Sequence, residues 1–170
     1  MKRSNKFISQ EALKLIACIT MFIDHFGYAI VPRLAIANMD TIYYICRSIG
    51  RLSFPIFCFL LVEGMRHTRN PGKYLLRLGC GILLAELPYD LLSYGEVNWA
   101  SQSVMVTLTL GAGMLLCMQK TQKSWLKVIL ILPFALLADL TKSNYGAGGI
   151  VTIAVFGLFD QPLLQTVGLF

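Results

Sequence analysis

Long apolar stretches alternate with short polar or basic segments along the chain. Each stretch is too long and too continuous for the alternating strands of an outer-membrane barrel, and a membrane-crossing helix needs about 20 such residues. The pattern therefore predicts an all-α fold, a polytopic membrane helical bundle of about six transmembrane helices in a single integral membrane domain, residues 1–170. The predicted spans are residues 11–31, 41–65, 74–92, 102–119, 125–139 and 148–160.

Several of these spans are irregular. Pro55 is expected to kink the second span, because proline removes a backbone donor and crowds the preceding turn. The fifth span is short for a full crossing. The chain stays apolar to Phe170, which indicates either a re-entrant segment or an incomplete larger bundle. A cleaved signal peptide is the alternative for the first stretch, but that stretch lacks a small-residue cleavage site, so a retained span is favoured.

Composition supports a membrane protein. Hydrophobic residues make up 56% of the chain and charged residues only 14%, whereas soluble domains are roughly 25% charged. The five cysteines are scattered through apolar stretches without a CxxC pair, so free thiols are expected and no metal site is predicted. The net charge of +6 does not indicate nucleic-acid binding, because no basic segment is interleaved with aromatic residues.

The distribution of basic residues predicts the orientation. They gather before the first span and in the loops after the second and fourth spans, whereas the other loops carry few. The clustered residues are Lys2, Arg3, Lys6, Arg66, Arg69, Lys73, Lys120, Lys123 and Lys127. Because basic segments face the cytoplasm, we expect a multi-pass protein of the cell inner (plasma) membrane with both termini cytoplasmic.

Ionisable residues inside four of the spans are the first candidates for chemistry, because charge is costly in hydrocarbon. With a rise of about 1.5 Å per residue and the predicted orientation, they all fall between the midplane and the outer surface. They are Asp24, His25, Arg47, Arg51, Glu86, Asp90 and Asp139. This set is interpreted either as structural ion pairs or as a functional site.

The neighbouring residues Asp24 and His25 make the first span the strongest candidate. An imidazole can act as a general base near neutral pH. Adjacent helical residues point about 100° apart, so adjacency does not establish contact between the two side chains. Asp24 is equally able to pair with Lys14 or with an arginine on another span. The other histidine, His67, lies in a basic loop and is predicted to be solvated, and Glu63 is predicted to anchor the second span at the membrane interface.

Three segments of the chain are distinctive when taken together: ALKLIACITMFIDHFG, IGRLSFPIFCFLLVEGMRHTRNPGKYLLRL and AELPYDLL. They resemble the TraX family of membrane proteins. The later segments SQSVMVTLTLGAG and NYGAGGI are also similar, so the resemblance covers about residues 12–156. TraX proteins are linked to conjugal transfer, and the plasmid member N-acetylates pilin. The family also resembles a wider superfamily of membrane acyltransferases, whose first span carries a basic residue, ten intervening residues and a histidine. Lys14 and His25 match that spacing.

The resemblance implies an acyltransferase that uses acyl-CoA, with acetyl-CoA as the expected donor. His25 would be the base or the acyl carrier, Asp24 would orient it, and Arg51 would stabilise the oxyanion. The residues expected to bind the donor are Lys14, Arg47, Arg66, Arg69 and Lys73. Those expected to bind the acceptor are Glu86, Asp90, Asp139 and Tyr145.

The expected partners are the lipid bilayer, acyl-CoA and an amine or hydroxyl acceptor such as a pilin-like peptide or an envelope glycan. Two other functions stay open at this stage. Buried Asp, His and Arg side chains also form the proton relays of transporters. A non-catalytic assembly protein for conjugation or envelope machinery is the third possibility. The sequence predicts neither the acceptor's identity nor an oligomeric state.

Overall fold

The structure is a computed structural model that describes residues 9–34, 38–93 and 102–158. These residues are helical almost throughout, which confirms the all-α class. The helices are α1 (Gln10–Ala29), a 3-10 turn (Val31–Arg33), α2 (Met39–Gly50), α3 (Ser53–His67), α4 (Pro71–Ser93), α5 (Val104–Lys120), α6 (Ser124–Leu140) and α7 (Gly146–Leu158). In the described part of the chain, the only β-structure is an isolated bridge between Gln102 and Ser143.

Some predictions fall outside the described residues. These are the basic residues Lys2, Arg3 and Lys6, the polar loop over residues 94–101, and the end of the sixth span with the apolar segment that follows it.

The second predicted span is made of two helices rather than one kinked helix. α2 ends at Gly50 and α3 begins at Ser53. Pro55 lies in the first turn of α3, where it offers no N–H to the carbonyl of Arg51 and its ring crowds that carbonyl. The break therefore precedes the proline by one turn. The Ser53 hydroxyl donates to the Gly50 carbonyl across the break, at 2.7 Å.

Two helical segments of the described residues are clearly long and apolar enough to cross a membrane. They are Gln10–Arg33, of 24 residues, and Met39–His67, of 29 residues, which includes the break. Val104–Lys120 and Gly146–Leu158 are shorter apolar helices. The membrane assignment is supported to this extent, whereas six crossings within one domain stay a prediction.

The helices fall into two compact units, of which the first contains α1, α2 and the start of α3. Here α1 and α2 run antiparallel and their backbones come very close. Gly27 faces Cys46 and Gly50 faces Asp24, so closely that a Cβ atom at either glycine would collide with its neighbour. Glycine at these two positions is therefore what permits the close packing of α1 against α2.

The second unit, residues 61–158, is built around α5, which packs against α4, α6 and α7. Its core is formed by buried Met65, Met114, Ile150 and Ile153. The outer faces of α4 and α6, by contrast, present large apolar side chains at helical spacing. On α4 these are Leu76, Leu83, Leu84, Leu87 and Leu91, and on α6 they are Trp125, Val128, Ile129, Leu132, Leu136 and Leu140. Exposed apolar stripes of this length are typical of surfaces that contact lipid or a partner.

Candidate functional site

An ion pair between Asp24 and Arg47 joins α1 to α2. An Arg47 Nη1–H donates to Asp24 Oδ2 at 2.5 Å, and the two side chains are 34% (Arg47) and 21% (Asp24) exposed. The Arg47 guanidinium also lies 5.7 Å from the centroid of the Tyr28 ring, within the range of a cation–π contact. Of the partners that the sequence left open for Asp24, an arginine on the next helix is the one present. The guanidinium of Arg47 is thus already engaged within the first unit.

His25 is held by its own helix rather than by Asp24. Its Nδ1 lies 2.8 Å from the Met21 carbonyl oxygen. Because a carbonyl can only accept, this contact places the proton of the neutral ring on Nδ1, which leaves Nε2 as the basic nitrogen. The side chain is exposed. This tautomer is the one that a general base acting through Nε2 requires, and it is obtained without an Asp-His relay.

Lys14 lies on the same helix as His25 but pairs elsewhere. Its Nζ is 3.0 Å from Glu11 Oε1, and both side chains are largely exposed. It lies eleven positions before His25, which is about 16 Å along a helix axis. An exposed, weakly held lysine at that distance remains free to exchange Glu11 for an anionic ligand.

Arg51 lies at the break between α2 and α3. Its backbone N–H donates to the Arg47 carbonyl, so the two arginines follow one another by one helical turn as predicted. The Arg51 side chain is exposed and makes no hydrogen bond or ion pair with any residue that the structure describes. It is therefore the arginine of this region that is available for a ligand, and its role as oxyanion stabiliser stays a prediction.

Glu86 and Asp139 of the second unit accept hydrogen bonds from backbone N–H groups at the starts of two helices. Glu86 Oε1 accepts from the Ser103 N–H at 2.9 Å, at the start of α5. Asp139 Oδ1 accepts from the Ala147 N–H at 2.7 Å, at the start of α7. Negative charge is favourable at a helix N-terminus. Glycine is required at position 146, where φ is +47° and a Cβ would collide with Asp139.

These two helix beginnings lie side by side. The Gln102 N–H donates to the Lys142 carbonyl at 3.0 Å, and the Asn144 N–H donates to the Gln102 carbonyl at 3.1 Å. The structure thus brings Glu86 and Asp139 to one end of the second unit, where each already has a structural function. Asp90 is buried and Tyr145 is partly buried, and acceptor binding by all four residues stays a prediction.

Two buried hydroxyl groups at the start of α5 carry no charge and gave no signal in the sequence. Ser103 Oγ and Thr107 Oγ1 are inaccessible to solvent and have no hydrogen-bond partner among the described residues. They lie one turn apart, and Ser103 is the residue whose N–H Glu86 binds. An unsatisfied buried hydroxyl costs free energy, so these groups are candidates for contact with a ligand.

The pair formed by His67 and Glu63 was missed by the sequence predictions. His67 Nδ1 lies 2.6 Å from Glu63 Oε1 and 3.1 Å from the Glu63 carbonyl oxygen. The His67 side chain is 67% exposed, as predicted for a solvated residue, but Glu63 is only 7% exposed. Glu63 is therefore a buried partner of His67 as well as a residue near the end of α3. The spacing of four residues was the available signal, because it places both side chains on one helical face.

The predicted donor-binding residues around His67 differ in their availability. Arg66 donates to the carbonyls of Phe156 and Gly157, at 3.5 and 3.3 Å. These contacts tie α3 to the last turn of α7. The side chains of Arg69 and Lys73 are exposed, so these two residues are better placed than Arg66 to meet an anionic ligand.

The predicted residues are divided between the two units. Asp24, His25, Arg47 and Arg51 lie in the first, and Glu86, Asp90 and Asp139 lie in the second. Their convergence at one depth therefore stays a prediction.

Comparison with known proteins places the chain in a family. A family model described as "TraX protein" matches residues 9–166. The chain is 28% identical over 162 residues to a "Probable fimbrial assembly protein FimC, serogroup H1" of Dichelobacter nodosus, an alignment that covers 91% of this chain and 64% of that protein. It is 42% identical over 55 residues to "Uncharacterized protein RP591" of Rickettsia prowazekii (strain Madrid E), covering 32% of this chain and 18% of that protein.

The chain thus spans less than two thirds of the length of either relative. No solved structure matches it significantly. The family model, in contrast, covers nearly all of the sequence. The chain belongs to the TraX protein family.

Proposed function

We propose that this protein is an integral membrane acyltransferase that moves an acyl group, with acetyl as the expected one, from acyl-CoA to an amine or hydroxyl acceptor. The observation that carries the proposal is the state of His25. Its Nδ1–H is bound to the Met21 carbonyl, so Nε2 offers a lone pair at an exposed position. Family membership adds the resemblance to acyltransferases, in which a histidine follows a basic residue at the spacing of Lys14 and His25.

In the proposed reaction, Nε2 of His25 removes a proton from the amine or hydroxyl group of the acceptor. The acceptor atom then forms a bond to the thioester carbonyl carbon, and the carbon–sulfur bond breaks. The CoA thiolate leaves and takes the proton from the imidazolium, so the products are an acylated acceptor and free CoA. The alternative, in which the acyl group first rests on Nε2, uses the same tautomer.

Arg51 is the residue proposed to stabilise the oxyanion, because its guanidinium is exposed and uncommitted among the described residues. The pair formed by Asp24 and Arg47 is proposed to act indirectly. It fixes α2 against α1 at the turn that carries His25, and thereby limits how far the imidazole moves relative to a bound substrate.

The donor is proposed to approach from the cytoplasm. Lys14 is the residue of the first unit proposed to bind its phosphates, and Arg69 and Lys73 are the donor-binding residues proposed in the second unit. The exposed apolar faces of α4 and α6 support further membrane crossings beyond the two clear segments, since lipid would cover these faces. Glu86, Asp90, Asp139 and Tyr145 are the residues proposed for the acceptor side. The relative from Dichelobacter nodosus is named as a probable fimbrial assembly protein, which favours a pilin-like peptide as the acceptor.

The test is an acyl-transfer assay with the purified full-length chain in lipid vesicles, radiolabelled acetyl-CoA and a pilin-like peptide. The His25→Gln variant should lose transfer to the peptide by about 10²-fold or more, the usual contribution of a general base. Cys18→Ser, an exposed position on the same helix, is the matched control and should retain full activity. Transfer at the wild-type rate by His25→Gln would refute the proposal.

A non-catalytic role in fimbrial assembly is the second candidate, favoured by the name of the same relative. The two candidates differ in what His25 does in cells. If the protein is a scaffold, a strain that expresses His25→Gln at the normal level should assemble fimbriae or conjugative pili as the wild type does.

A further inference from the structure

The pair formed by Glu63 and His67 has the geometry of an acid–base dyad. The distance of 2.6 Å between Nδ1 and Oε1 is that of a charge-assisted hydrogen bond. Both of the oxygens that Nδ1 meets belong to Glu63, and in the ionised residue both can only accept. In the neutral ring the proton therefore lies on Nδ1, which leaves Nε2 as the basic nitrogen of a largely exposed side chain.

The burial of Glu63 costs free energy, because a carboxylate loses its hydration there. The Glu63 side chain is 7% exposed, and a buried carboxylate has to be offset by a partner. A histidine that is merely solvated at the surface needs no buried carboxylate beside it. A buried carboxylate behind an exposed imidazole is instead the arrangement that orients a catalytic histidine and stabilises its protonated form.

The end of α3 that carries the dyad is also well anchored. The Gln119 side-chain amide donates to the Met65 carbonyl at 3.3 Å, and Arg66 binds two carbonyls at the end of α7. These contacts attach the residues between Glu63 and His67 to α5 and α7. The imidazole thus projects from a fixed backbone, which general-base catalysis requires.

We propose that Glu63 and His67 form a second acid–base centre, which cleaves acyl thioesters from the cytoplasmic side independently of the acceptor of His25. His67 is the catalytic residue and Glu63 is the positioning residue. The inference rests on the proposed function only for the donor, acyl-CoA. The exposed cations Arg69 and Lys73 follow His67 by two and six positions in the chain, and they suit the phosphates of that donor.

In this step, Nε2 of His67 removes a proton from water. The water oxygen forms a bond to the thioester carbonyl carbon, and the carbon–sulfur bond breaks. The thiolate leaves with the proton from Nε2, so a carboxylic acid and a free thiol result. The Glu63 carboxylate stays ionised throughout and balances the charge of the transient imidazolium.

The first measurement is independent of activity. Long-range ¹H–¹⁵N NMR spectra of the full-length chain in detergent micelles report the tautomer of each histidine. His67 should be the Nδ1–H tautomer with a strongly downfield proton, which moves upfield in Glu63→Gln, while the His25 signals stay unchanged. An Nε2–H tautomer at His67 would overturn the dyad.

The second measurement is release of CoA from acetyl-CoA without any peptide acceptor. His67→Gln, whose side-chain amide is still a donor for the buried Glu63 carboxylate, should lower this release by about 10²-fold. Thermal unfolding of the same variant shows whether it is folded. Glu63→Gln should lower kcat with KM unchanged, because Glu63 does not touch the substrate, whereas Arg69→Gln should raise KM.

The outcomes separate this inference from the proposed function. Release that persists in His67→Gln overturns the dyad alone. Loss of peptide transfer in His25→Gln with intact release supports both centres. An absence of both transfer and release in the wild-type protein would overturn the proposed function and the chemistry of the dyad together.

Discussion

The two histidines of the chain differ in the groups that contact the imidazole ring. In both, Nδ1 meets an oxygen of the residue four positions earlier. For His25 that oxygen is the backbone carbonyl of Met21, and for His67 it is both the carbonyl and the carboxylate of Glu63. In each neutral ring, Nδ1 is therefore the nitrogen that donates and Nε2 the one that can accept a proton, but only His67 has a carboxylate oxygen within hydrogen-bond distance of Nδ1.

The carboxylate nearest to His25 in sequence does not bind the imidazole. Asp24 is adjacent to His25, yet it forms its ion pair with Arg47 on α2. In the second region, the carboxylate four residues away is the one that binds the imidazole. On a helix, the spacing of four residues brings side chains together and adjacency does not.

The largest expected effect is a division of two rates between the two histidines. His25→Gln should lower peptide transfer by about 10²–10⁴-fold and leave acceptor-independent release of CoA intact, and His67→Gln should do the reverse. The measurement is both rates for both variants in one vesicle preparation. Equal loss of both rates in either variant would show that the chain holds one centre rather than two.

A smaller effect concerns the packing of α2 against α1, the helix that carries His25. Gly50→Ala should lower the free energy of unfolding by about 1–3 kcal/mol, because the added methyl group would displace Asp24. Thermal unfolding in micelles, followed by circular dichroism, measures this. The matched control is Gly79→Ala on α4, where nothing lies within 4 Å. It should be neutral or stabilising by up to about 1 kcal/mol. Equal effects would show that α1 and α2 are not tightly packed.

The ion pair itself should contribute somewhat less. Asp24→Asn keeps the shape and removes the charge, and we expect a loss of about 1–2 kcal/mol in the free energy of unfolding, since the pair is only partly buried. Glu11→Gln removes the exposed pair with Lys14 and should change stability by less than about 0.5 kcal/mol. If the two variants unfold alike, the pair between Asp24 and Arg47 does not hold the first region together.

The smallest effect is expected at the start of α5 in the second region. Thr107 is completely buried, and its hydroxyl has no partner among the described residues. Thr107→Val should therefore be neutral or stabilising by up to about 1 kcal/mol. A destabilisation larger than that would reveal a bound water or a ligand. Peptide transfer measured on the same variant tests whether the hydroxyl contributes to acceptor binding.

The helices could be predicted closely from the sequence, because apolar periodicity and length depend on local chain properties. The exception was the second span, whose break lies one turn before Pro55. The proline predicted the disturbance correctly, but the clash acts on the carbonyl four residues earlier, and that is where the helix ends.

The site could be predicted only in part, because the roles of charged residues depend on contacts between helices. Sequence identified Asp24 and left an arginine on another span among its possible partners, but it did not single out Arg47. It identified Glu86 without predicting its bond to the Ser103 N–H. The cap that Asp139 provides for α7 also requires the tertiary structure. Glu63 was missed as a partner of His67 because its position near the end of a span suggested an interface anchor, although the spacing of four residues was visible.

The break between α2 and α3 has a consequence for the membrane itself. A helix interrupted in hydrocarbon exposes backbone carbonyls, and such carbonyls recruit water when nothing else binds them. Here the Ser53 hydroxyl binds the Gly50 carbonyl directly. Where this segment crosses a bilayer, the hydroxyl takes the place of a water molecule that the Gly50 carbonyl would otherwise bind, so the break needs no solvent at this carbonyl.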